Sequence, residues 1–202
     1  MQLSQALVEL KDRGFHYLKD PRLTLALNKG KDALEDEYTW PWLETSVAGA
    51  APLTIPDLKV VQSVWIPGDK QVLVGVDPRD VPDIDGDITI PGQPLVWWLD
   101  GLTTVRVYPV DASKTLQVRY VKHSPELVND TDTPLIPPRY HSLWVDYAVV
   151  EAYADSDNFE QANALLNDIR GRRLPQLLEV FAARNRLNPG YQSVSYFNSE
   201  DL

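Results

Sequence analysis

The sequence predicts an α+β chain: a discontinuous helical bundle of about four helices, a small antiparallel β domain inserted into it, and an extended C-terminal arm. Three observations predict this class. Apolar residues recur at helical spacing at both ends of the 202 residues, β-branched and aromatic residues alternate between them, and prolines mark both switches of period. Two short helical arms cannot each bury a core alone, so residues 1–51 and 135–187 are expected to fold together as one body. Residues 52–134 then form the insert and 188–202 the arm.

Over residues 2–13, Leu3, Ala6, Leu7 and Leu10 fall on one helical face, and Gly14 is placed to stop that helix. A second helix opens at Asp20-Pro21, where the carboxylate can cap free amides and proline gives up no hydrogen bond. Its stripe of Leu23, Ala26, Leu27, Gly30, Ala33 and Leu34 runs to about Tyr38. The segment Tyr38-Thr39-Trp40-Pro41-Trp42-Leu43 is aromatic and broken by proline, which reads as a packed connector. From Pro52 to Pro134 the pattern is that of strands, placed at 59–66, 71–76, 94–99, 102–108 and 115–122. Asp100-Gly101 suits the positive backbone angles of a hairpin turn, and a second hairpin is expected through Asp111-Ala112-Ser113-Lys114.

The proline-rich linker from Asp130 to Pro138 returns the chain to helical period. Tyr140 to Ala154 is apolar almost all round, with Asp146 and Glu151 as its only acidic breaks, as in a helix buried on several sides. It is either the centre of the bundle or packs also on a neighbouring chain. Asp157 and Glu160 stand at capping-box spacing before a further helix through Phe159, Ala162, Leu166 and Ile169. Pro175 cannot donate to the carbonyl of Gly171, so a kink is expected there before Leu177, Leu178 and Phe181. Beyond Asn188-Pro189-Gly190, Tyr191, Val194, Tyr196 and Phe197 punctuate a polar string.

Composition narrows the function. The absence of cysteine removes disulfides, thiolate metal sites and a cysteine nucleophile. A formal net charge of -10 repels phosphate backbones, which argues against a dedicated nucleic-acid binder. No run reaches the roughly 18 apolar residues of a spanning helix, and the first residues lack a signal-peptide core, so a soluble, cytoplasmically made product without membrane contact is expected.

Chemistry-bearing patterns are sparse. His16, His123 and His141 lie in three different predicted elements without ligand partners at metal spacing. Neither a phosphate-cradling glycine motif nor a G-x-S-x-G elbow occurs. The acidic loop holding Asp77, Asp80, Asp83, Asp85 and Asp87 begins like a calcium loop, but Ile88 and Pro94 occupy its diagnostic glycine and glutamate positions. It reads as solvated, with no metal and no cofactor assigned. Arg170, Arg172 and Arg173 form one basic group, followed by Arg184 and Arg186. They are placed either for surface ion pairs and helix-end complementarity or for docking on acidic surfaces of neighbouring subunits.

Several phrases together resemble tailed-phage head-to-tail adaptor (connector) proteins. They are the two N-terminal helices, Gly92-Gln93-Pro94-Leu95-Val96-Trp97-Trp98-Leu99-Asp100-Gly101, Leu116-Gln117-Val118-Arg119-Tyr120 leading to Ser124-Pro125-Glu126-Leu127, and Pro137-Pro138-Arg139-Tyr140-His141-Ser142-Leu143 opening the buried helix. The resemblance covers most of the chain as an order of elements. It implies a non-catalytic virion protein that forms a homo-oligomeric ring, commonly of twelve copies, between the portal protein and the tail or next connector, with DNA only as passing cargo. It also implies that the segment Leu187 to Leu202 reaches the portal, which points to Tyr191, Val194, Tyr196 and Phe197 as partner contacts. Arg170, Arg172, Arg173, Trp144 and Tyr147 are the residues expected at the subunit interface.

Two rival readings remain at this point. One is a β-rich carbohydrate or host-surface binding module using Trp97, Trp98 and Tyr108, although neighbouring tryptophans on a strand face opposite sides. The other is a metal-dependent enzyme built on the Asp77 to Asp87 loop.

Overall fold

The apolar stripes fold as helices where their period predicts them. The computed structural model describes residues 1–68, 71–80, 91–111 and 113–187, and within these the chain is α+β with about four helices and two sheets. Helix α1 spans Leu3–Leu10, α2 Asp20–Asp36, α3 His141–Asp155 and α4 Phe159–Asp168; a π turn over Ile169–Arg173 continues α4 into α5, Leu174–Leu187. The strands are β1 (Glu44–Ala50), β2 (Leu53–Thr54), β3 (Leu58–Ile66), β4 (Gln71–Val72), β5 (Val74–Gly75), β6 (Val96–Asp100), β7 (Thr104–Tyr108) and β8 (Thr115–Lys122). The chain divides into two compact units, Met1–Gln5 with Lys31–His141 and Ala6–Gly30 with Ser142–Leu202.

In the first unit the strands form two four-stranded sheets, ordered β1-β8-β3-β4 and β2-β7-β6-β5. The first is antiparallel throughout; in the second, β5 runs parallel to β6. Inward residues of both sheets meet in one apolar cluster: Leu58, Val64 and Ile66 of β3, Val105 and Val107 of β7, and Leu116, Val118 and Tyr120 of β8. The hairpin at Asp100-Gly101 forms as read, with Asp100 opposite Thr104 and Gly101 at φ +69°. The second expected hairpin does not. A turn does form, the amide of Lys114 donating to the carbonyl of Asp111, but β8 then pairs with β1 and β3 of the other sheet rather than with β7. An arch between sheets keeps the same inward alternation as a hairpin, so alternation alone does not separate them. Strands β1 and β2 lie outside the predicted set, because Glu-Thr-Ser-Val-Ala-Gly-Ala is poor in the residues that mark strands.

The aromatic connector packs as read. Trp40 is fully buried, stacks on Trp42 at 4.5 Å between ring centroids, and donates from Nε1 to the carbonyl of Leu34 at 2.7 Å. The linker before α3 caps α1, since the carbonyls of Asp132 and Asp130 accept from the amides of Leu3 and Ser4.

In the second unit Leu7, Leu10, Leu23, Ala26 and Leu27 are buried, as are Val145, Ala148, Ala152, Ile169 and Phe181. Gly14 ends the first helical segment at φ +107°, where only glycine is unstrained. Helices α2 and α3 touch backbone to backbone at Gly30: a Cβ there would lie 2.4 Å from the amide nitrogen of Ala148. Trp144 Nε1 donates across the same crossing to the carbonyl of Leu27 at 2.8 Å.

The capping box at Asp157 and Glu160 is not formed. Asp157 takes φ +57°, its amide donates to the carbonyl of Ala154, and the amide of Asn158 donates to that of Tyr153. This is a Schellman closure, so Asp157 ends α3 instead of starting α4, and Asn158 takes the N-cap place without a side-chain bond. At the expected kink, the amide of Leu174 donates to the carbonyl of Ile169, five residues back. The helix widens by one residue just before Pro175, where the proline withholds its own donor.

Candidate functional site

Two polar constellations stand out among the described residues, one in each unit. In the second unit, Asp146 is buried on α3, and its two carboxylate oxygens meet two arginines. Arg13 Nη1 lies 2.5 Å from Oδ1, and Arg173 Nη1 binds Oδ2. Arg13 also pairs with Glu9 at 2.5 Å, and Arg173 Nε with Asp168 at 2.9 Å. Burial works against the Arg13 charge, but hydrogen bonds and attraction from Asp146 and Glu9 outweigh it and raise its pKa. A buried acid satisfied at both oxygens by forked donors fixes the turn after α1, α3 and the π turn together.

In the first unit the C-terminal half of α2 carries Lys31, Asp32, Glu35 and Asp36. Lys31 is buried and donates from Nζ to the carbonyls of Ser124 and Pro125, at 3.4 and 2.8 Å, while pairing with Asp32 at 3.2 Å. Ser124 Oγ donates to Glu35 Oε2 at 2.6 Å. The Ser124-Pro125-Glu126-Leu127 bend is thus held by a helix that reads its backbone and its hydroxyl. Lys59 of β3 donates to the Glu35 carbonyl at 3.2 Å and pairs with Asp36. Asp32, Glu35, Asp36, Lys59 and His123 line a cleft of about 200 Å³. Glu35 is only 4% exposed, and its Oε1 has no hydrogen-bond partner among the described residues. Burial, the largest influence, raises the Glu35 pKa despite the Ser124 bond and Lys31.

The residues predicted at a subunit interface separate by environment. Trp144 and Tyr147 are buried in the single chain. Arg173 serves Asp146 and Asp168. Arg172 pairs with Asp168 at 2.6 Å and stays 68% exposed, and Arg170 is exposed on the same π turn. Tyr191, Val194, Tyr196 and Phe197 lie outside the described residues, as do Asp83, Asp85 and Asp87. Asp77, at the start of that loop, accepts from the amide and guanidinium of Arg79, and these bonds lower its pKa. Among the described residues no three acidic or histidine side chains group as a metal site, and no helix is long and apolar enough to cross a membrane.

The aromatic sugar-binding face expected by the rival reading does not form. Trp98 and Tyr108 are 7% and 6% exposed and pack with Val76 and Val96, while Trp97 packs against the core shared by the two sheets. The buried pair Lys31 and Glu35, with the half-buried Ser124, was missed by sequence reasoning. The available signal was Lys31 and Glu35, four apart, beside the stripe that ends at Leu34.

A comparison with curated proteins finds no match. The family model described as SU10 adaptor protein matches residues 5–190, from within α1 through both sheets to the end of α5, and the chain therefore belongs to this family of phage head-to-tail adaptor proteins.

Proposed function

We propose that the protein assembles as a ring between the portal and the tail, extending the DNA channel without catalysis. Membership of the adaptor family carries this reading, since it makes the protein a structural component of the virion. The resemblance in element order implies twelve copies. The two helical arms form the assembling body, the β region between Pro52 and Pro134 is inserted in it and offers a secondary surface, and residues 188–202 reach the portal through Tyr191, Val194, Tyr196 and Phe197. The net charge of -10 supports a channel wall that DNA passes without sticking. Arg170 and Arg172, exposed on a turn, support a charged contact between copies.

The test is native mass spectrometry of the chain alone and mixed with its portal protein, using full-length protein and a truncation after Asn188. The truncation is expected to keep its circular dichroism and melting temperature and to lose portal binding. Undiminished assembly of the truncated chain with portal refutes the role of the arm, and a full-length chain that never joins a ring refutes the reading as a whole.

A further inference from the structure

We propose that the acidic cleft of one copy receives the arginine-bearing π turn of the next copy, with the Arg172 guanidinium set between Asp32 and Glu35. This rests on the ring reading above and names the contact that would close it. The first observation is an incomplete site. Glu35 lines the cleft, is nine-tenths buried, and has one oxygen satisfied by Ser124 and the other by nothing among the described residues. A buried carboxylate oxygen without a donor is costly, so a donor arriving from outside gains more here than at an exposed acid.

Charge points to a cation as that donor. Asp32, Glu35 and Asp36 face two ammonium groups, and both are engaged: Lys31 by Asp32 and the carbonyls of Ser124 and Pro125, Lys59 by Asp36 and the Glu35 carbonyl. No metal-binding group of three forms from these side chains. A guanidinium suits the cleft better than a bare ion, because its planar fork can bridge two carboxylates. The volume is sufficient, since four heavy atoms displace roughly two or three waters of ~30 Å³ each from a space of about 200 Å³.

The second copy supplies the guanidinium. Arg172 is 68% exposed and, among the described residues, pairs with Asp168 four residues earlier, a surface pair of the kind that exchanges at little cost. Contact between two different surfaces of successive copies is heterologous, the geometry that closes rings.

The groups facing Glu35 are Asp32, Asp36 and Lys31 of α2, Lys59 of β3, and His123 and Ser124 after β8. Burial holds the Glu35 carboxyl above its usual range. Acidification therefore neutralises Glu35 before ordinary carboxylates, and association should fall in that interval.

The experiment uses the full chain in sedimentation velocity and native mass spectrometry. Wild type is expected to assemble, while Glu35→Gln and Arg172→Asp each weaken association about tenfold or more. The exchanged pair Asp32→Arg with Arg172→Asp should restore it. Because Glu35→Gln removes a buried charge while keeping the side chain's shape, its melting temperature at pH 7 should not fall, which separates lost docking from lost folding. Wild-type assembly in Glu35→Gln and Arg172→Asp overturns the cleft contact and leaves the ring reading standing. Failure of the exchanged pair overturns the Asp32–Arg172 pairing, and a wild-type chain that stays monomeric both alone and mixed with its portal protein overturns both the contact and the ring.

Discussion

Replacing Gly30 by alanine sets two effects of opposite sign against each other. Helix propensity alone favours alanine over glycine in a helix interior by about 1 kcal/mol. The crossing opposes it, because the new Cβ would lie 2.4 Å from Ala148 N, 2.7 Å from Ala148 Cα and 2.9 Å from Tyr147 C, all backbone atoms that no rotamer can move. Relieving contacts this short requires α2 and α3 to part by about 1 Å, since non-bonded carbons settle near 3.5–4.0 Å. That shift would stretch the 2.8 Å bond from Trp144 Nε1 to Leu27 past its useful range. Overpacking of this kind costs about 1–3 kcal/mol and the lost bond about 1. With propensity subtracted, Gly30→Ala should destabilise by roughly 1–3 kcal/mol, which lowers Tm by about 2–4 °C per kcal/mol in a chain of this size. Urea denaturation followed by tryptophan fluorescence measures it. A variant as stable as wild type, or more stable, would refute the close crossing and leave propensity in charge.

Three further outcomes follow from the same structure. Asp146→Asn should cost about 1–3 kcal/mol, because two arginines lose the carboxylate that satisfies them while their partial exposure limits the penalty; thermal melts in low and high salt measure it. Trp98→Ala should lose about 3 kcal/mol or more in denaturant titrations, since the ring is buried beside Tyr108. Asp157→Gly should gain about 0.5–1 kcal/mol in Tm-derived stability, because glycine meets φ +57° without the strain an L side chain carries.

The helices were legible because their stripes are unbroken: Leu3, Ala6, Leu7 and Leu10 are all buried, and Gly14 stops the segment where its freedom is needed. The Asp100-Gly101 turn was legible for the same local reason. What the sequence left hidden depends on distant partners. Strand β1 exists because β8 offers a regular seven-residue register from Glu44 opposite Val121 to Ala50 opposite Thr115, which its own small residues do not announce. Asp157 carries an N-cap side chain, yet the end of α3 claims its backbone first. Lys31 and Glu35 look like solvent-facing charges on a helix; the carbonyls and hydroxyl that bury them come from residues 124 and 125. The family resemblance lay in whole phrases of sequence, whereas the acidic cleft exists only once α2, β3 and the segment after β8 come together in the fold.

The π turn also acts as a phase corrector. Ile169 and Leu174 are both buried although five residues apart, a spacing that would carry an ordinary α-helix well off its apolar face. A chain one residue shorter at Gly171 could present the same core-facing stripe with a regular helix. The surplus residue is therefore taken up on the outer side, where Arg170, Gly171 and Arg172 are all exposed while Ile169 and Leu174 stay in the core.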